Sequence, residues 1–457
     1  MAPAARRAAA PATRRGIALR SAGAPRSSAG YSLIGPDSSL NGMTHHPHSV
    51  AADAPSPERE HTRPSTGAPG VGRLIGLDLA RGLAVFGMYA VHVGPAPGQD
   101  GVIGSLMEPA QGRSSALFAV LAGFAVALIT GRRTPKTGLA GRQAVAKVII
   151  RAVILIALGT ALTLTGTPVV PILAFYGLFF LLVLPLYRLG ARPLALIAAG
   201  WALVGPQLLY ALKPLVGGRV FLSYGQADGP VSLFFTGGYP ALTWVPFVIA
   251  GMAVARCDLA ATAVRIRLAL TGAALAVTGY GGSWLALRLV PGAAEAVRKA
   301  EAGQGMSSVP SSVPSGSSAP SVSPDSIGIF GDTPAGMLAS APHSEATPSI
   351  VAATGVAILV ITACLAAMDA FPRLRRLAGP VIAVGSMSLT AYVFHIVAIW
   401  LLSTEKMTVP PLYTLLGFIA SITVLATLWS RFFRRGPLEG LMGRATGIAG
   451  RMRSGES

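Results

Sequence analysis

From Leu74 onward the chain is a succession of ten apolar stretches of about 20 residues, joined by connections rich in arginine and lysine. A helix rises 1.5 Å per residue, so a stretch of that length crosses a hydrocarbon core about 30 Å thick. Inside such a core each backbone N–H and C=O must be satisfied within the protein, which leaves the helix as the spanning element for runs of this kind. The pattern predicts spans over about 74–93, 114–130, 148–165, 169–187, 193–212, 240–255, 268–290, 350–368, 379–402 and 410–430. The expected fold class is therefore all-α, a polytopic membrane protein with about ten transmembrane helices. Only 12% of the 457 residues are charged, against roughly 25% in a soluble domain. That balance excludes an ordinary soluble enzyme.

The net charge of +19 does not signal nucleic acid, because the basic residues crowd the connections and no basic patch interleaved with aromatics lies in the apolar body. With the N-terminus placed in the cytoplasm, the inner connections after the first span hold 19 lysines and arginines and the outer ones seven. The positive-inside rule then puts both termini on the cytoplasmic side. Cys257 and Cys364 would lie near that reducing face and are expected as free thiols. The localisation expected is the plasma membrane, multi-pass.

Composition divides the chain further. Residues 1–72, rich in Ala, Pro, Ser and Arg, have no apolar period and are expected to be disordered. The cluster His45, His46 and His48 within them lacks anything to hold a coordination geometry, and no metal site is expected. Met43 is an alternative start. A first transmembrane half spans 73–290. An external connection, 291–349, has a Ser/Pro/Gly-rich middle and carries His343 to the mouth of the eighth span. A second half spans 350–443, and 444–457 is a basic tail. A second outer loop, 213–239, holds Tyr224, Asp228 and Phe234 and is long enough to fold over an outer cavity.

Ionisable groups inside the spans are few and costly, which makes them the candidates for function. The first span, RLIGLDLARGLAVFGMYAVHVG, carries Asp78, Arg81 and His92. At 100° per residue all three share one face, and the stripe extends about 21 Å along the axis. Asp78 and Arg81 are spaced to pair, either as an interfacial clamp or as part of a polar route. In the ninth span Ser388, Tyr392 and His395 share a face, and the two hydroxyls are positioned to orient the imidazole. Arg113 opens the second span as an interface anchor or an anion contact. Glu439, in RRGPLEGL, either neutralises Arg434 or Arg435 or holds a basic group of the first span. His395, then His343, then His92 are the candidate general bases at an outer mouth.

RLIGLDLARGLAVFGMYAVHV resembles the opening span of the heparan-α-glucosaminide N-acetyltransferase catalytic-domain family. FTGGYPALTWVPFVIAGMAVAR, GSMSLTAYVFHIV and RFFRRGPLEGL resemble the C-terminal half of the YeiB-type bacterial membrane proteins. The resemblance implies acyl transfer across the bilayer. Cytosolic acyl-CoA, acetyl-CoA in the first instance, would be the donor and co-substrate. An external amine or hydroxyl of a glycan or envelope component would be the acceptor. Asp78, Arg81, Arg113, Ser388, Tyr392 and Glu439 would then bind the substrates. The catalytic histidine of the eukaryotic branch lies in the first loop, whereas 94–112 here contains none, and His92 stands where the family has an asparagine. The histidine roles are thus read from chemistry alone. Membrane lipid is an expected partner, nucleic acid is not, and a homo-oligomer is left open. The competing reading is a membrane carrier of a small or lipid-linked substrate without acyl-transfer chemistry.

Overall fold

The computed structural model describes residues 74–96, 101–216, 232–306, 334–402 and 409–451, and their regular elements are all helical. Each apolar stretch has a helical counterpart. The first is α1 (Ile75–Val93), followed by the short α2 (Gly101–Met107) and a 3-10 turn at Glu108–Ala110. Then come α3 (Arg113–Thr130), α4 (Gly138–Leu164), α5 (Leu173–Val183) and α6 (Ala191–Val216). A 3-10 turn, Leu184–Arg188, extends α5. The chain continues through α7 (Ala241–Arg256), α8 (Thr262–Leu289) and α9 (Ala293–Met306). The last group is α10 (Thr347–Ala370), α11 (Pro372–Leu377), α12 (Gly379–Ser386), α13 (Ser388–Leu402), α14 (Pro411–Phe432) and α15 (Pro437–Gly447).

By length and composition, five helical segments among the described residues are able to cross a membrane, or six if α12 and α13 count as one. The shortfall from ten has physical causes. Asp78, Arg81 and His92 lower the mean hydropathy of α1, and α7 has only 16 residues. The expected span 379–402 is not one helix: it breaks between Ser386 and Ser388 and turns by 85°. The connection 291–349 is also less irregular than its composition suggested, since it opens with α9 and ends with a 3-10 turn at Pro334–Leu338. The basic tail begins inside α15 rather than after it. The N-terminal segment, His45, His46, His48, Met43, Tyr224 and Asp228 lie outside the described residues, whereas Phe234 sits in a π-helical turn at Ser232–Thr236.

Without a hydrophobic drive between helices in lipid, close backbone approach does much of the packing. Gly123 of α3 faces the Val248 backbone of α7, and Gly251 of α7 faces the Val120 backbone of α3. A methyl group at either position would collide with a main chain, so this crossing requires both glycines. Gly385, at the end of α12, lies likewise against the backbone of Asp78 in α1. The core seals these crossings with buried Tyr89, Phe124, Phe179 and Tyr392.

Candidate functional site

The two halves of the chain meet at a pair of histidines. His92, near the end of α1, and His395, in α13, stand 303 positions apart in sequence, with Nδ1 of His92 3.0 Å from Nε2 of His395. Their rings stack at 5.3 Å with 7° between planes. His395 is fully buried, and His92 is half-buried. Tyr89 lies on His395 at 4.8 Å and Tyr392 meets it edge-on at 4.9 Å. The Tyr89 hydroxyl donates to the Ala391 carbonyl at 2.7 Å, which ties α1 to the turn preceding His395.

The surroundings choose a tautomer. Nδ1 of His395 is buried and makes no well-aligned hydrogen bond, and its polar neighbours are the carbonyls of Ala391 and Tyr392. Facing carbonyl oxygens, that nitrogen carries the proton, because a lone pair there would be repelled. Nε2 of His395 is then the acceptor, so Nδ1–H of His92 donates. In that tautomer Nε2 of His92 carries a lone pair.

The expected orienting role of Ser388 and Tyr392 is not what the fold builds. The Tyr392 hydroxyl accepts from the backbone N–H of Ile172 at 3.0 Å. Ser388 opens α13, about 10 Å below His395 along the axis. His92 and Tyr89 hold the His395 ring instead.

Glu439 lies at the start of α13. One of its oxygens accepts from the N–H groups of Leu389 and Thr390, at 2.8 and 3.1 Å, and the other from the Thr390 hydroxyl at 2.6 Å. The N–H of Leu438 donates back to that hydroxyl at 3.2 Å. The break before α13 exposes helix N–H groups that have no partner of their own, and a carboxylate from α15 supplies one. Of the two roles considered for Glu439, neither is its direct contact: it caps a half-helix. Asp78 and Arg81 do pair, at 3.1 Å. Arg151 lies within electrostatic range of Arg81, Arg435 and Glu439, so three guanidinium groups gather at the end of α1 opposite His92. If the Asp78–Arg81 pair acts as a unit, Asp78→Asn and Arg81→Gln should each cost more than the double variant, with a coupling of about 1–3 kcal/mol in a double-mutant cycle of thermal stability. Additive losses would assign them separate partners.

The third histidine also comes to this end of the bundle. His343 packs against Tyr239 and Trp244 at 6.0 and 6.1 Å and lies within electrostatic range of His92. His343 and Glu345 have φ of 56° and 54°, a left-handed conformation that costs a residue with a Cβ about 1 kcal/mol or more. The loop thereby turns both side chains into a cavity of about 30 Å³, shared with Arg113, Tyr280 and Trp244. Nε of Arg113 donates to the Tyr280 hydroxyl at 2.6 Å and Nη1 to the Glu108 carbonyl at 3.0 Å.

Glu345 was missed in the sequence, where nothing marks ASAPHSEATPS as the lining of a cavity. Its side chain is 5% exposed, and Oε1 accepts from Nε1–H of Trp244 at 2.8 Å. Burial pushes its carboxyl up to about 7, against the hydrogen bonds with Thr243 and Trp244. The Thr243 hydroxyl also reaches the Pro240 carbonyl at 3.1 Å. A carboxyl raised in the folded state stabilises most below its unfolded value of 4.5. Relative to Glu345→Gln, the wild-type chain should therefore lose roughly 3 kcal/mol between pH 4.5 and 7 and change little above that. Thermal unfolding in detergent across this range measures it, and parallel pH curves for the two proteins would refute it.

The fold and site thus describe a helical membrane protein with a buried histidine pair joining its two halves. Residues 73–284 match the family described as "Heparan-alpha-glucosaminide N-acetyltransferase, catalytic". Residues 337–449 match the family described as "Protein of unknown function (DUF418)". These matches support the membrane acetyltransferase family read from the sequence, although FTGGYPALTWVPFVIAGMAVAR, read there as YeiB-type, falls within the first match rather than the second. No curated relative matches the chain. His92 falls in the first matched region and His395, His343, Glu345 and Glu439 in the second, so the pair is built across both.

Proposed function

We propose that the protein is a multi-pass acyltransferase of the plasma membrane that moves an acetyl group from cytosolic acetyl-CoA to an external amine or hydroxyl of a glycan or envelope component. The observation that carries this reading is the 3.0 Å contact of His92 Nδ1 with His395 Nε2; with Nδ1 of His92 as the donor, its Nε2 is the lone pair that takes a proton. The acceptor nitrogen or oxygen attacks the thioester carbonyl carbon and gives up a proton to that nitrogen. The carbon–sulfur bond breaks, and the thiolate leaves with the electron pair and is then protonated. Such general-base assistance contributes typically 10²–10⁴-fold. His395 acts as the positioning residue, since it is too deeply buried to meet an acceptor. Arg81, Arg151 and Arg435 would receive the donor's phosphates, a planar guanidinium being suited to that group.

In this reading all ten apolar stretches lie within the membrane, both termini are cytoplasmic, and Arg113, His343 and Glu345 face outside. In a background lacking Cys257 and Cys364, a membrane-impermeant thiol reagent should label Ser105→Cys on intact cells and not Arg133→Cys. The opposite pattern overturns the orientation. Purified protein given radiolabelled acetyl-CoA and an envelope extract should label a component of the extract. The 85° break between α12 and α13 is the observation that favours the carrier reading, because interrupted helices recur at transporter sites. Absence of acylated product, together with protein-dependent uptake of an envelope precursor into vesicles, would decide for it.

A further inference from the structure

The cavity behind the His343–Glu345 loop has no part in the chemistry described so far. Its rim is exposed at Pro342 and His343, and its floor is the buried carboxyl of Glu345. At about 30 Å³ it has room for one or two waters, and so for a single functional group rather than a whole sugar. Three observations mark it as built rather than accidental. Two residues of one loop hold a left-handed conformation that turns them into it. Arg113 is fixed on its wall by Tyr280 and the Glu108 carbonyl. Trp244 and Thr243 hold Glu345 from one side, leaving carboxyl lone pairs for a further donor.

We propose that this cavity is the acceptor subsite and that Glu345 is its specificity-determining residue, receiving an N–H or O–H of the acceptor's head group. The proposal rests on the acyl-transfer reading for the word acceptor, but the site itself does not depend on turnover. Glu345 takes a hydrogen-bond donor. His343 stands on the rim of the same cavity. A cation without an N–H would not satisfy the carboxyl's remaining lone pairs.

The test is binding to full-length protein in detergent without acetyl-CoA. The probes are ethanolamine, which carries both donor types on a small head group, and tetramethylammonium, which carries the charge and no donor. The readout is tryptophan fluorescence, using the component absent from Trp244→Phe. Ethanolamine should bind to wild type and at least tenfold more weakly to Glu345→Gln, which is isosteric and keeps the Trp244 contact. Tetramethylammonium should produce no saturable change. Glu345→Asp, one methylene shorter, gives a second reading and should also weaken ethanolamine. Equal ethanolamine affinity across wild type and both variants overturns the proposal, as does tetramethylammonium binding as well as ethanolamine. If ethanolamine binding depends on Glu345 while wild type acylates nothing, the donor-selective cavity stands and the transfer reading falls. If Glu345→Gln acylates an acceptor with wild-type KM, the subsite proposal falls and the transfer reading stands.

Discussion

His92→Ala should lower acetyl transfer by about 10² to 10⁴-fold while leaving folding in detergent intact, because it removes the base and half of one stacked pair. The contrast with His395 is the informative part. His395→Ala should also lower turnover strongly, since Nδ1–H of His92 loses its acceptor and the ring its register. His395→Gln should recover at least tenfold of that loss, because a side-chain amide oxygen can accept the same proton. His92→Gln should recover nothing, an amide being no base at neutral pH. Steady-state turnover with acetyl-CoA, measured beside gel-filtration profiles, distinguishes these cases. If His395→Gln is as inactive as His395→Ala while His92→Ala retains activity, the roles are reversed and His395 is the base. If all of these variants work at the wild-type rate, imidazole catalysis is wrong.

Glu439→Ala should be the most destabilising substitution of a polar residue near the break. It strands two backbone donors and a threonine hydroxyl at the start of α13. Each unsatisfied donor costs about 1–3 kcal/mol where water cannot replace the partner, and loss of a helix cap typically costs about 1 kcal/mol. An overall loss of about 3 kcal/mol follows, which is large against a total stability of 5–15 kcal/mol. His395 sits five residues beyond Thr390 on the same helix, so the surviving protein should have a lower kcat with a nearly unchanged KM for acetyl-CoA. Glu439→Gln should recover part of both, since its amide oxygen still accepts from the backbone. Melting temperature and kinetics of the three proteins check this. A raised acetyl-CoA KM at unchanged stability would instead make Glu439 a donor-binding group.

The same carboxylate shows where reading from sequence stops. Helical class and the positions of the apolar segments were legible because lipid imposes a length and a composition on any segment that enters it. Asp78 and Arg81 were legible as a pair because three residues on a helix set their spacing. His92 and His395 stood out because imidazoles are rare in such segments, and His343 because its loop ends at the mouth of a span. Glu439 was visible as an isolated acid, but its partner lies about 50 residues away and belongs to a helix start that hydropathy could not show. GSMS within 379–402 carries no proline and continues an apolar run, so only the approach of Gly385 to α1 and the cap from α15 reveal the break.

The sequence by itself determined what is local or periodic: the membrane class, the places of the apolar segments along the chain, the charged stripe of α1 and the family resemblance. Tertiary structure alone decided what depends on residues far apart in the chain. It made His92 and His395 one hydrogen-bonded pair. It turned Glu439 from a candidate ligand into a cap, and it put Glu345 beneath Trp244 in a cavity. The reason is common to all of these. A helix dictates spacing along its own axis, whereas the contacts that tune a side chain's proton come from neighbouring helices, whose register is set by close packing and not by any pattern within one segment.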